Sequence, residues 1–223
     1  MSNYMCKAPG CCERAATRYG VYCNAHRSRQ RRHGEANQDA ISKADLKIYE
    51  QLVHDRIGKN KNKAIWQQLK ARWGVIVQEA QEALEQSRKG TPMPSWKRTV
   101  AVELVKLSNT VEAEAVINTV LAIYLLQDHE PRKIKSDRAF RTQMVRRVRG
   151  LTKQNAGTWR DSSSGKTKIA YRELNAKAVD ALSHKLVMAF GPTGVTIADL
   201  EKRDHERKQM ELIEHNQALG DLQ

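Results

Sequence analysis

Cys6, Cys11, Cys23 and His26 stand in the spacing C-x4-C-x11-C-x2-H. Thiolates and imidazole suit Zn²⁺, and four such ligands close a tetrahedral structural site. Cys23 and His26 are three residues apart, so both can point to one side of a first helical turn. Pro9 and Gly10 supply a turn within the first ligand pair, and Gly20 offers a bend before the second. The arrangement is that of a treble-clef or short knuckle. A segment of about 35 residues could hardly fold without such a staple. Cys12 adjoins Cys11 and could replace it as the second ligand or stay a spare thiol; the turn at Pro9 and Gly10 fits Cys11 better. Free thiols or a disulfide pair are the bland alternatives. All four cysteines lie in the first 23 residues, which a disulfide scaffold would not do.

Directly after His26 come Arg27, Arg29, Arg31 and Arg32. On a helix launched by the metal site they would cover much of the exposed surface. Guanidinium groups pair phosphate bidentately and read guanine edges. A second basic stretch begins at Arg132. Arg138, Arg141, Arg146 and Arg149 share one side of a helical wheel, and Arg147 is a further candidate phosphate contact in the same basic stretch. Phe140, Met144 and Val148 fall opposite, so the helix is expected to dock by that face and present its arginines outward. Lys153, Arg160, Lys166 and Lys168 extend the patch through a polar segment, where Trp159 could stack on an unpaired base or anchor the loop.

The string CKAPGCCERAATRYGVYCNAHRSRQRRHGEA resembles the small treble-clef-like zinc finger near the N-terminus of phage and mobile-element proteins, including some HNH endonucleases. Cys6, Pro9-Gly10-Cys11, Cys23 and His26 carry the resemblance, with the run ending Arg32-His33-Gly34. It covers about 30 of the 223 residues, and Cys12 stands where a polar residue is more usual. It implies a phage-type origin and proximity to nucleic acid, with DNA ahead of RNA, but no particular activity.

The elements that must position these groups read as helical almost throughout. The expected fold is mainly α: an N-terminal zinc-finger module over residues 1–36, then an all-α body of about six helices. Residues 37–130 form a helical core. Residues 131–194 hold the basic helix, a polar loop or irregular hairpin and a further helix. Residues 195–223 form a charged C-terminal helix. Helices are expected over residues 39–57, 63–88, 96–127 (capped by Ser95), 137–149, 169–190 and 197–218. The last is stopped from the preceding one by Gly191-Pro192-Thr193-Gly194 and capped by Thr196. The apolar run from Ala115 to Leu126 is shorter than the ~20 residues of a membrane span and reads as a buried helix. The opening residues carry no apolar leader, so the expected location is the cytoplasm, the host's if the protein is phage-encoded.

The chain carries 39 Lys and Arg against 25 Asp and Glu, a net charge of +14. The excess is uneven: +5 over residues 1–35, +3 over 36–134, +9 over 135–186 and −3 over 187–223. Such a surface favours a polyanionic partner over a small neutral substrate. Catalytic motifs fail one by one. Ser164-Gly165-Lys166-Thr167 lacks the upstream glycine and strand of a P-loop. His205 and Glu206 lack the second histidine of a zinc protease. His54, Asp55 and Asn60 lack the hairpin of an HNH site. No catalytic centre is identifiable, and the chain is not expected to be an enzyme. The expected function is zinc-dependent nucleic-acid binding of phage type, regulatory, through Arg-rich surfaces gripping the phosphate backbone. The alternative is an interaction protein that inhibits or redirects a host nucleic-acid-processing or defence complex; an HNH-like nuclease ranks third. Residues 197–218, with a sparse apolar seam, could pair with another copy.

Overall fold

The computed structural model describes residues 4–60 and 64–220, without the side chains of residues 168–170, 216 and 218–220. The described residues form seven α-helices and one short hairpin. The helices are α1 (Asn24–His33), α2 (Lys43–Lys59), α3 (Ala64–Arg88), α4 (Ser95–Thr110), α5 (Ala113–His129), α6 (Asp137–Arg149) and α7 (Ala176–Gly220). A 3-10 turn (Lys153–Asn155) and the antiparallel strands β1 (Ala156–Arg160) and β2 (Thr167–Tyr171) lie between α6 and α7. The protein is thus mainly α-helical, with a cysteine-rich N-terminal segment ahead of a body of six helices.

The centre of the body is α5. Val116, Ile117, Val120, Leu121, Ile123, Leu125 and Leu126 are all buried, so the helix is wrapped rather than one-sided. It packs against α2, α3, α6 and α7. One apolar cluster contains residues from every helix α2 to α7. No single helix among the described residues is long and apolar enough to cross a membrane.

Four expected boundaries are corrected. First, α2 begins at Lys43 rather than near residue 39. Ser42 sets the start: its Oγ accepts from the Asp45 backbone N–H at 3.1 Å, and the Asp45 carboxylate accepts from the Ser42 N–H at 2.7 Å. This reciprocal pair satisfies two orphan donors. Second, the helix expected over residues 96–127 is two helices, bent by 116° between Thr110 and Ala113. Ser108 and Thr110 return their hydroxyls to the carbonyls of Val105 and Lys106, and Val111 is extended. Ser95 lies inside α4, and Pro94 is the capping position. Third, residues 167–171 are a strand, so the helix expected from residue 169 starts at Ala176, capped by Asn175 Oδ1 on the Ala178 N–H at 2.8 Å.

Fourth, the Gly-Pro-Thr-Gly segment does not stop a helix. α7 continues through Pro192, with Phe190 buried before it and Ile197 and Ala198 after it. Burial on both sides outweighs the missing hydrogen bond. Thr196 donates its hydroxyl to the Pro192 carbonyl at 2.9 Å instead of capping. The two glycines serve packing: a Cβ on Gly194 would lie 2.5 Å from Tyr124 Cδ2 on α5. Beyond Ala198, α7 is held to α2 by Arg56, which reaches Glu201 at 2.5 Å and Asp204 at 2.6 Å.

Candidate metal centre and basic clefts

Residues 4–23 make a small knuckle held by main-chain bonds. The Cys6 N–H donates to the Glu13 carbonyl at 2.8 Å, the Lys7 N–H to Val21 at 3.0 Å, and the Ala15 N–H to Tyr4 at 2.8 Å. Gly10 takes a φ of +72°, the left-handed conformation that this turn requires. The Cys11 N–H then closes the turn on the Ala8 carbonyl at 3.1 Å. On the far side Cys23 is the N-cap of α1, and His26 lies in its first turn.

These elements converge four ligand atoms. Cys6 Sγ is 3.4 Å and Cys23 Sγ 3.2 Å from His26 Nδ1, and Cys11 Sγ is 4.0 Å from Cys23 Sγ. All four lie within 4.8 Å of one another, close enough to hold a metal ion. None of the cysteines is in a disulfide. Cys12 is exposed and outside the group, so of the two adjacent cysteines it is Cys11 that lies close enough to share a metal ion with the other three. Burial raises the Cys6 thiol, but hydrogen bonds from the backbone of Cys23 and Ala8 and from neighbouring thiols bring it down to about 6. The Glu13 backbone lowers Cys11, yet burial and the thiols of Cys6 and Cys23 outweigh this and push it up. The two thiols thus move in opposite directions: Cys6 ionises readily, Cys11 resists, and a bound cation would favour the thiolate at Cys11.

The module docks on α6 through the end of α1. Gly34 (φ +91°) terminates that helix, its N–H bonded to the Gln30 carbonyl at 2.9 Å. It touches α6 so closely that a Cβ would lie 2.7 Å from the Arg138 carbonyl and 2.9 Å from Ala139 Cα. Around this junction, Arg146 Nη1 donates to the Arg32 carbonyl at 3.2 Å, and Gln143 Nε2 sits 3.2 Å from His33 Nδ1. The fully buried Gln38 ties the following segment down, donating to the Lys133 carbonyl at 3.0 Å and accepting from the Lys135 N–H at 2.9 Å.

This docking joins parts of two basic stretches. Arg27 and Arg31 of α1 and Arg138 of α6 line one open cleft of about 460 Å³, with Asn24, Ser28 and Gln30. A neighbouring cavity of about 670 Å³ is lined by Arg31, Arg32 and Arg138, and also by Glu173 and Asp180. Arg29 lies 3.8 Å from Asp39. Arg141 is exposed, and its charge acts on Tyr124. Lys153, Arg160 and Lys166 are exposed on the turn and hairpin, and Trp159 is half exposed on β1. The side chain of Lys168 lies outside the described residues.

The outward arginine face expected of α6 is corrected at its C-terminal half. Arg149 is buried; its Nε donates to Glu103 Oε2 at 2.8 Å, and its side chain also bonds Asn155. Arg146 and Arg147 are only partly exposed, and Arg147 Nε has no partner among the described residues. The helical wheel superimposes Arg138 and Arg149, but 11 residues separate them by about 16 Å along the axis. At that distance α4 and the hairpin root replace solvent. Arg149 is therefore withdrawn from the basic surface.

Several organising residues carry no pattern in the sequence that marks them: Gln38, Glu103, Gln143 and Glu173. Gly34 does carry a signal, as a glycine after the last basic residue of a short helix. Comparison with protein-family models, with curated proteins and with solved structures gives no match.

Proposed function

We propose that this protein is a zinc-stapled nucleic-acid-binding protein, regulatory rather than catalytic, that grips the phosphate backbone with the module and α6 together. The observation that carries the reading is the cleft shared by Arg27, Arg31 and Arg138. Guanidinium groups from two elements meet there across a hydrogen-bonded junction, which suits a polymer of phosphates better than a single small anion. The strong positive charge of residues 135–186 supports the same reading.

Zinc is the ion the donor set favours. Zn–S bonds of about 2.3 Å and a Zn–N bond of about 2.0 Å put tetrahedral sulfurs about 3.8 Å apart, and sulfur and nitrogen about 3.5 Å apart. The spacings of 4.0, 3.4 and 3.2 Å fit that figure. Three cysteines and one histidine leave no open position, so the metal would be structural. Cys6, Cys11, Cys23 and His26 would hold it. Its chemistry would be to fix α1 in the direction that aims its arginines. The phage-type origin rests on the zinc-finger resemblance of residues 6–36.

The test is metal analysis of the purified chain together with fluorescence anisotropy on duplex DNA, single-stranded DNA and RNA. We expect one zinc per chain and an affinity that falls steeply between about 50 and about 200 mM salt. Replacing Arg27, Arg31 and Arg138 by alanine should weaken binding at least about tenfold. The salt slope should fall by about one for each phosphate that is no longer neutralised. Failure of the wild-type chain to bind any of the three at low salt overturns the reading.

A further inference from the structure

Glu173 sits among three guanidinium groups. Its carboxylate is 3.2 Å from Arg32 Nε, 3.6 Å from Arg146 Nη1 and 3.9 Å from Arg31 Nε. A fitted guanidinium–carboxylate pair closes to about 2.7–2.9 Å with two parallel bonds. None of the three does so here. The carboxylate is shared among three guanidinium groups without a close two-bond pair to any of them, so three positive charges face its one negative charge. Burial and the charges of Arg147, Arg32 and Arg149 all disfavour the charged form of Arg146, with Glu173 opposing them.

The surroundings are also those of an anion site. The cavity beside Glu173 is about 670 Å³ and carries Gln30 as well as Arg31, Arg32 and Arg138. Asn175 and Ala176, at the N-terminus of the long helix α7, line the same cavity. The positive end of that helix dipole therefore opens into it. Asp180 lines the cavity too, so two carboxylates stand against the arginines. Glu173 belongs to the short connector between β2 and α7. A change of its side-chain rotamer would vacate the space without moving any helix.

We propose that Arg31, Arg32 and Arg146 form a phosphate seat, which the Glu173 carboxylate fills in the free protein as an internal stand-in for the ligand. The proposal rests on the nucleic-acid reading above and names the chemistry of one subsite: a phosphate oxygen cluster replaces the carboxylate. A tetrahedral phosphate offers oxygens in more directions than a planar carboxylate, which matches guanidinium groups arriving from two helices. The phosphate could be an internal phosphodiester or the terminal monoester of a strand end. A monoester carries close to two charges near neutral pH, a diester one.

The experiment uses the zinc-loaded full chain and a labelled single-stranded oligonucleotide, with a 5′-hydroxyl in one arm and a 5′-phosphate in the other. Glu173→Gln removes the competing charge. It should tighten binding about tenfold and steepen the salt slope by about one unit. A gain confined to the 5′-phosphate arm assigns the seat to a strand end; an equal gain in both arms assigns it to the backbone. Arg32→Ala should weaken the wild type and cancel the gain of Glu173→Gln. A measurement on the wild type guards against misfolding of the variant: the Nε–H resonances of Arg31, Arg32 and Arg146 should shift when oligonucleotide is added. Wild-type binding with unshifted resonances, or with no gain in a folded Glu173→Gln chain, overturns the seat and leaves the broader function standing. No binding by either protein overturns both.

Discussion

The Nε of Arg149 donates a 2.8 Å hydrogen bond to Oε2 of Glu103, joining α6 to α4 with both side chains more than nine-tenths buried. Lys106 bonds the other Glu103 oxygen at 2.5 Å, and Asn155 at the hairpin root accepts from both cations. Burial alone would raise the Glu103 carboxyl, but its bonds to Arg149 and Lys106 hold it below the ordinary range. Arg149→Ala would leave a buried carboxylate short of its main partner. We expect a loss of about 3–5 kcal/mol of stability by urea denaturation. Removing both charges with Glu103→Leu and Arg149→Met should restore most of it. An Arg149→Ala chain as stable as the wild type would contradict this assignment.

Gly34→Ala should separate the module from the body. The added Cβ meets backbone atoms of Arg138 and Ala139 below 3.0 Å, and φ is positive there. The conformational cost alone is about 1–2 kcal/mol, and the steric overlap adds to it. Hydrogen exchange should rise in residues 30–42 while α5 stays protected. Equal exchange in the two proteins would mean that this junction does not hold the module.

The two adjacent thiols should differ sharply. Cys11 belongs to the ligand group and Cys12 is exposed outside it. Cys12→Ser should keep one equivalent of metal after dialysis against a mild chelator, whereas Cys11→Ser should lose it. The reverse result would exchange their roles.

Acid should loosen the docking of α1 through His33. Gln143 Oε1 accepts from the Ile41 N–H at 3.3 Å, which turns its Nε2 toward His33 Nδ1. Nδ1 must then accept, so the folded state holds the neutral imidazole. Burial, with Arg146, Arg32 and Arg29 nearby, lowers the His33 value below 6.5, and Glu173 opposes this. A depressed histidine binds its proton more readily when unfolded. Its contribution is therefore complete above about pH 6.5 and is lost as pH falls through the folded-state value. The stability difference between about pH 7.5 and about pH 5.5 should shrink in His33→Gln. An unchanged difference would remove His33 from the docking surface.

Local chemistry was legible in the chain itself. The ligand spacing named Cys6, Cys23 and His26, and Pro9-Gly10 favoured Cys11, because a knuckle and a first helical turn are built from neighbours. The apolar run around Val120 and Leu121 announced a buried helix by composition alone. What escaped were the choices made between distant segments. Pro192 reads as a stop, yet burial of Phe190 and Ile197 on either side carries the helix through it. Arg138 and Arg149 share an angle on the wheel, yet one faces solvent and the other meets Glu103. Glu173 is one acid in a basic stretch until folding sets it among Arg31, Arg32 and Arg146. Periodicity reports the direction in which a side chain leaves its own helix. Only the packed chain decides what stands there, since burial and ion pairing depend on neighbours that arrive from elsewhere in the sequence.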